Sequence, residues 1–327
     1  MDDLEIPVLN DGDILVEMRV CGLCGSDIEK IHGEYNVSSI IGHEASGIIK
    51  KIGGKIDGLD VGDRVFPHHH VACRSCHYCT SGSETMCPSY RSYHYDPGGF
   101  AEFFRVPSWN VERGGVLKLP DSISFEDASF IEPTACCIRA IERARVEPDD
   151  SLLVIGAGPI GITFLELAPH FGISEISASD VSHVRLQHAL RHGASNVYNP
   201  SEYDVPSCIS AETDGEGVDV AVIASGNPKA IVQGLKSIRR GGKVILFGIP
   251  IVGSSLEYDM STLVNNELSI IPSNAATERE TSIALDYIAG GKIDVTSMIT
   301  HRYPIDKFED SVAMAVRGEA LKVLITN

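Results

Sequence analysis

The stretch LLVIGAGPIGITFLELA, residues 152–168, limits the fold more than any other. An apolar run leads straight into Gly156, Gly158 and Gly161, spaced G-x-G-x-x-G, and then into a helical pattern. The first glycine permits a tight turn, the second lets backbone approach a pyrophosphate, and the third lets the helix lie close on its strand. Pro159 suits the first helical turn, where a missing N–H costs nothing, and Ile160 follows it at the helix start. The N-terminus of that helix favours negative charge. Asp180 lies nineteen residues after Gly161, at the end of the next apolar run, EISASD. A carboxylate there can accept both ribose hydroxyls and repels a 2′-phosphate. The pattern therefore predicts a dinucleotide site with NAD preferred over NADP. Arg185, just past Asp180, keeps the NADP option open, and Ser225 and Gly248 complete the expected cofactor-binding set.

The surroundings of this motif predict a doubly wound parallel sheet. VDVAVIASG is followed by NPKAIVQGLKSIRRGG, and that by KVILFGIP. Apolar strands buried on both faces and separated by helices belong to such a sheet. Residues 1 to about 140 differ: short β-like runs (DILVEMRV, ASGIIKKI, DRVFP, FAEFFRV) lie among Gly, His and Cys, which reads as a loop-rich, mostly β region. Within it, SFEDASFIEPTACCIRAIERA is helical, with Ser124 as N-cap and Asp127 three residues on. The tail after about 274 fits either region by periodicity alone.

Cys73, Cys76, Cys79 and Cys87 stand within CRSCHYCTSGSETMC. That spacing lets one loop wrap four thiolates around a tetrahedral Zn²⁺, a closed shell with no position for a substrate. The start MDDLEIP lacks the basic and apolar regions of a signal peptide, so the cytosol is the expected compartment, where such cysteines hold metal rather than form disulfides. A more scattered set comprises Cys24, Ser26 and Asp27 from CGLCGSD, His43 and Glu44 from GHE, and Glu132 from FIEPTACC. A thiolate, an imidazole and carboxylates suit a catalytic zinc with a labile position, but spacing alone does not bring them together. The net charge of −18 argues against a nucleic-acid partner, and no apolar run reaches membrane-spanning length.

CGLCGSD, GHE, the four-cysteine lobe, GGFAEF, IEP, GAGPIG and ITHRYP occur in one order over essentially the whole chain. Together they resemble the zinc-containing medium-chain dehydrogenase family, closest to its polyol (sorbitol), sugar and threonine branches. The resemblance implies a GroES-like catalytic domain, split in sequence as 1–140 and 275–327, around a Rossmann NAD-binding domain at 141–274. It implies Cys24 and His43 as catalytic zinc ligands, Glu44 as the acidic ligand beside them, and Glu132 approaching the metal directly or through water. Asp27 would orient the ligand histidine and Ser26 would relay the substrate proton. The chain departs from the pattern at Glu29, where many relatives continue the relay with histidine. It departs again at Ala276 and Thr277, nearest the place where polyol dehydrogenases carry an Arg-Tyr pair.

The expected activity is hydride transfer between NAD and a secondary alcohol, a polyol or sugar, with two zincs per chain. An L-threonine-type amino-alcohol dehydrogenase is the alternative, and a non-catalytic nucleotide-binding protein the remote one. A dimer or tetramer is expected, with KVILFGIPIVGSSLEYDM supplying a sheet edge. Cys21, Cys136 and Cys137 are expected to be packing residues, and at most one of His68, His69 and His70 to reach the reaction centre.

Overall fold

The computed structural model describes residues 4–32, 41–318 and 320–327. The chain forms two compact units, one of Met1–Ala135 with Ala275–Asn327 and the other of Cys136–Asn274. The first boundary falls inside the helix Ile131–Ala144, a few residues before the change of texture in the sequence.

Strands are numbered along the chain. The first unit contains β1 (Ile14–Gly22), β2 (Glu44–Ile52), β3 (Arg64–Pro67), β4 (Phe103–Val106) and β5 (Val116–Lys118), then β12 (Ile299–Pro304) and β13 (Lys322–Thr326). Their order is β12-β13-β1-β2-β3-β5, with β4 also on β1. The tail that periodicity left unassigned is thus a sheet partner of the N-terminal region, with Cys21 opposite Ile325. Ile14, Val16, Met18, Cys21, Ala45, Ile49, Phe104 and Ile325 form the core of this unit, all fully buried. Burying each large apolar side chain contributes about 1.5–3 kcal/mol. Cys21 is one of these packing residues, as the sequence suggested. The cap at Ser124 forms as read: Ser124 Oγ accepts from Asp127 N at 3.0 Å while the Asp127 carboxylate accepts from Ser124 N at 3.1 Å.

The second unit is a six-stranded sheet in the order β11-β10-β9-β6-β7-β8. These strands are β6 (Leu152–Ile155), β7 (Ile176–Ser179), β8 (Asn196–Tyr198), β9 (Val218–Ile223), β10 (Ile238–Leu246) and β11 (Ser269–Pro272). All neighbouring pairs are parallel. The order reverses between β6 and β9, which is the doubly wound arrangement with a crevice at the carboxyl ends of those strands. Cys136 and Cys137 are buried on the connecting helix. One expectation is corrected: the strand in KVILFGIP is not an edge. β10 pairs with β9 on one side and β11 on the other, so the edges are β11 and β8.

Candidate metal centres and cofactor site

The lobe cysteines converge. Their four sulfurs lie within 4.8 Å of one another. Cys73 Sγ stands 3.9 Å from Cys79 Sγ, and Cys76 Sγ 3.5 Å from it. Zn–S bonds of about 2.3 Å in a tetrahedron require sulfurs about 3.8 Å apart, so the donor set fits zinc as it stands. The Ser75 backbone and hydroxyl and the Cys76 N–H lower the Cys73 thiol to about 6. The lobe is also tied to the return segment of its own unit. The Tyr90 hydroxyl donates to the Ala276 carbonyl, and Arg74 stands 3.6 Å from Glu278. Ala276 is fully buried and Thr277 caps the helix Glu278–Ala289.

A second group brings Cys24, His43 and Glu44 within 4.8 Å of one another. Cys24 precedes the short helix Gly25–Ile31, while His43 and Glu44 sit at the entry to β2. Asp27 joins the two loops. Fully buried, it accepts from Cys24 N at 3.3 Å, Gly42 N at 3.0 Å and His43 Nδ1 at 3.2 Å. A ligand imidazole whose Nδ1 is engaged in this way presents Nε2 to a metal. Burial works against charge on His43, yet the Asp27 carboxylate, with Cys24, holds it well above its ordinary value. Ser26 Oγ lies 3.3 Å from Cys24 Sγ. One soft thiolate, one imidazole and one carboxylate leave a fourth tetrahedral position open, the donor set of a catalytic zinc.

Two features here were not read from the sequence. Lys322, on β13, is buried and paired with Glu44, so a Glu44 oxygen is neutralised inside the protein. Burial disfavours its charge, but Glu44 and Cys24 keep its ammonium above the ordinary value. Gly22 makes the room: a Cβ there would meet Glu44 Oε2 at 2.0 Å and Lys322 Cε at 2.9 Å. The signal for the first was a lysine inside the apolar run LKVLIT. Glu132, read as a further ligand, is buried but stands outside the group of three. Its charge is felt by Lys322 and Tyr95. Of the three histidines, His69 comes nearest the group, its ring 4.9 Å from that of His43. His70 Nε2 is 3.2 Å from His94 Nε2, and His68 is enclosed, with its pKa lowered to about 3 by burial and by His43.

In the second unit the glycine motif lies as its spacing demands. Gly156 has φ +99°, and a Cβ would stand 2.9 Å from the Ala224 carbonyl. A Cβ at Gly161 would meet the Gly156 carbonyl at 1.9 Å, whereas Gly158 has nothing nearer than Arg185 Nη1 at 4.0 Å. The cradle is closed where helix meets strand and open where a diphosphate would approach, so it fits a dinucleotide. Pro159 begins the helix Pro159–Leu167 and Ile160 follows within it. Ser225 and Gly248 touch at the ends of β9 and β10, beside Gly156. Asp180 Oδ2 accepts from Ala157 N and Oδ1 from Ser182 N, both at 2.8 Å, and Arg185 Nη1 is 3.9 Å from Oδ2.

Residues 10–121 match the alcohol dehydrogenase GroES-like domain and residues 159–290 the zinc-binding dehydrogenase domain. Sorbitol dehydrogenase of Bacillus subtilis (strain 168) is 31% identical over 99% of this chain and 93% of that protein. The chain belongs to the zinc-binding alcohol dehydrogenase family. Solved relatives place its two units among GroES-like and Rossmann folds. The alcohol dehydrogenase TADH from Thermus sp. ATN1 has a TM-score of 0.89 at 29% identity, covering 99% of this chain and 95% of that one. A candidate zinc-binding dehydrogenase from Sinorhizobium meliloti 1021, solved with NADP, has a TM-score of 0.90 at 26% identity, covering 99% and 94%. The chain is therefore an oxidoreductase of the CH–OH class. No helix of the described residues is long and apolar enough to cross a membrane.

Proposed function

We propose that this dehydrogenase oxidises a secondary alcohol of the polyol or sugar class, using NAD and a zinc held by Cys24, His43 and Glu44. The observation that carries the reading is the open three-ligand group, with Asp27 bridging its two loops. Likeness to a sorbitol dehydrogenase over almost the whole chain supports the substrate class. When bound, zinc would supply Lewis acidity that lowers the pKa of the substrate hydroxyl, and the nicotinamide would supply the hydride acceptor.

The protein's own residues do the rest. Asp27 fixes the His43 ring and the Cys24 backbone, so the donor set is held before substrate arrives. Lys322 holds Glu44 in place and balances its charge. Ser26 takes the proton from the substrate hydroxyl and returns it to water. Glu132 contributes negative charge that Lys322 feels, and would approach the metal directly or through water. Cys73, Cys76, Cys79 and Cys87 would hold a second zinc whose closed thiolate shell supports folding and leaves no position for substrate.

Gly156, Gly158 and Gly161 receive the diphosphate, with Pro159 and Ile160 opening the helix over it, and Ser225 and Gly248 flank the same crevice. Asp180, fixed by two backbone N–H groups, accepts the ribose hydroxyls. Arg185 faces Asp180 rather than standing free for a 2′-phosphate, which supports NAD. The protein acts in the cytosol as a dimer or tetramer. Exposed Ile251, Val252, Met260 and Val264 on the second unit offer an apolar contact surface.

The test is reduction of NAD⁺ and NADP⁺ over polyols, aldoses and hydroxy-amino acids. Polyol or sugar turnover with NAD⁺ is expected. Threonine oxidation without polyol oxidation would replace the substrate class, and an absence of turnover with every alcohol would end the reading.

A further inference from the structure

A groove of about 590 Å³ opens on the first unit, lined by none of the metal-site cysteines; its wall residue His94 lies 6.0 Å by ring centroid from His69, the histidine nearest His43. It is walled by Asn10, by residues 92–97 and by the passage from β4 into the helix Ser108–Glu112, which carries Trp109. Its volume lies within the roughly 300–1,000 Å³ of small-molecule sites.

The walls are built. Tyr93 stacks on Trp109 with centroids 4.4 Å apart and planes 11° apart. Arg113 covers the other face of Trp109 at 3.5 Å, and Trp109 Nε1 donates to the Val71 carbonyl at 3.0 Å. Among the described residues no second ring or cation covers Tyr93, which is 38% exposed. Beside it, Arg105 is held between two carboxylates: Nη1 donates to Asp13 and Nη2 to Asp96, each at 3.1 Å. Asp13 is saturated, because it also accepts from Asn10 N and Ser108 N, both at 2.8 Å. Asp96 is half exposed and uses one oxygen on Arg105, and Arg105 Nε is buried without an acceptor.

These groups suit one chemistry. The guanidinium charge is already matched by Asp13 and Asp96, so the groove has no spare cation for a phosphate. It offers instead the ring face of Tyr93, the Asp96 carboxylate oxygen that Arg105 does not use, and the Asn10 amide, one N–H of which donates to Asp13 at 3.1 Å. The C–H face of a pyranose carries partial positive charge and packs on the negative face of an aromatic ring. Sugar hydroxyls both donate and accept, so they pair with Asp96 and Asn10. We propose that this groove is a binding subsite for a neutral saccharide, with a pyranose ring stacked on Tyr93. The proposal goes beyond the dehydrogenase reaction and is tested without it.

Trp109 is the single tryptophan of the chain, so its emission reports on the groove directly. The full chain, purified with its metals, is titrated with glucose, maltose, cellobiose and lactose, with 1,2-propanediol as control. At least one saccharide is expected to give a saturable change that the diol does not. Tyr93→Leu keeps apolar bulk but removes the ring face, and is expected to weaken Kd by roughly threefold to tenfold. Asp96→Asn, which keeps shape and fold, is expected to weaken it as well. If no saccharide changes the emission, or if both variants bind as tightly as the parent, the proposal is wrong.

Discussion

The two cysteine-rich groups of the first unit use the same element differently. In the lobe, all four donors are thiols from one fifteen-residue loop, already at tetrahedral spacing. In the other group, the donors are three different chemical types from two loops, joined by Asp27 and balanced by Lys322, which lies 278 residues from Glu44. A single loop can saturate a metal and fix its own conformation. A group assembled from distant strands can stop at three donors and leave a position for substrate, because the sheet rather than the metal holds it together.

This contrast is broken most severely at His43. His43→Ala is expected to lower kcat at least 10³-fold, a loss of about 4 kcal/mol of transition-state stabilisation, with nucleotide affinity nearly unchanged. Steady-state kinetics beside calorimetric titration with NADH would show it, and turnover within about tenfold of the parent would remove His43 from the reaction centre. Next comes Lys322→Met, which removes the buried ammonium paired with Glu44. Breaking a buried pair from one side costs about 3–5 kcal/mol, read as a drop in the urea midpoint, and a variant as stable as the parent would remove Lys322 from the site's framework.

The lobe sharpens the comparison from the other side. Cys76→Ser is expected to lower stability by about 2–4 kcal/mol and to release one zinc, while molecules that remain folded turn over normally. Turnover lost in folded protein would assign the wrong cysteines to the chemistry. In the second unit, Asp180→Ala is expected to raise KM for NAD⁺ about tenfold and to narrow the gap to NADP⁺, since one carboxylate no longer meets the ribose. The smallest effect concerns His68. Burial depresses its folded pKa to about 3 from 6.5. Below about pH 6.5 the unfolded chain takes up a proton that the folded one refuses, so stability is full above that pH and falls as pH drops toward 3. Between pH 7.5 and 5.5, His68→Phe should lose about 1 kcal/mol less stability than the parent.

How much of this was legible in the sequence followed from how local each feature is. The glycine motif, the Ser124 cap and the four-cysteine lobe each lie within one short segment, so spacing alone conveys their geometry. The convergence of Cys24, His43 and Glu44 was visible only as a family resemblance, because it depends on the pairing of β1 with β2. The Glu44–Lys322 pair and the clearance at Gly22 escaped altogether, since they depend on β13 returning to β1 from the far end of the chain. Glu132 was expected, by its motif, to approach the metal directly or through water, and it lies outside the group of three formed by Cys24, His43 and Glu44. The strand in KVILFGIP looked like an edge because apolar composition does not tell an edge strand from an interior one; β11, a shorter and less distinctive run, covers it.

The division between a reactive and a structural group is tested most directly by zinc content and turnover in Cys24→Ala. One zinc per chain, an unchanged melting profile and no detectable alcohol oxidation are expected. Two zincs per chain with full turnover would mean that neither Cys24 nor the group built around it is the reaction centre.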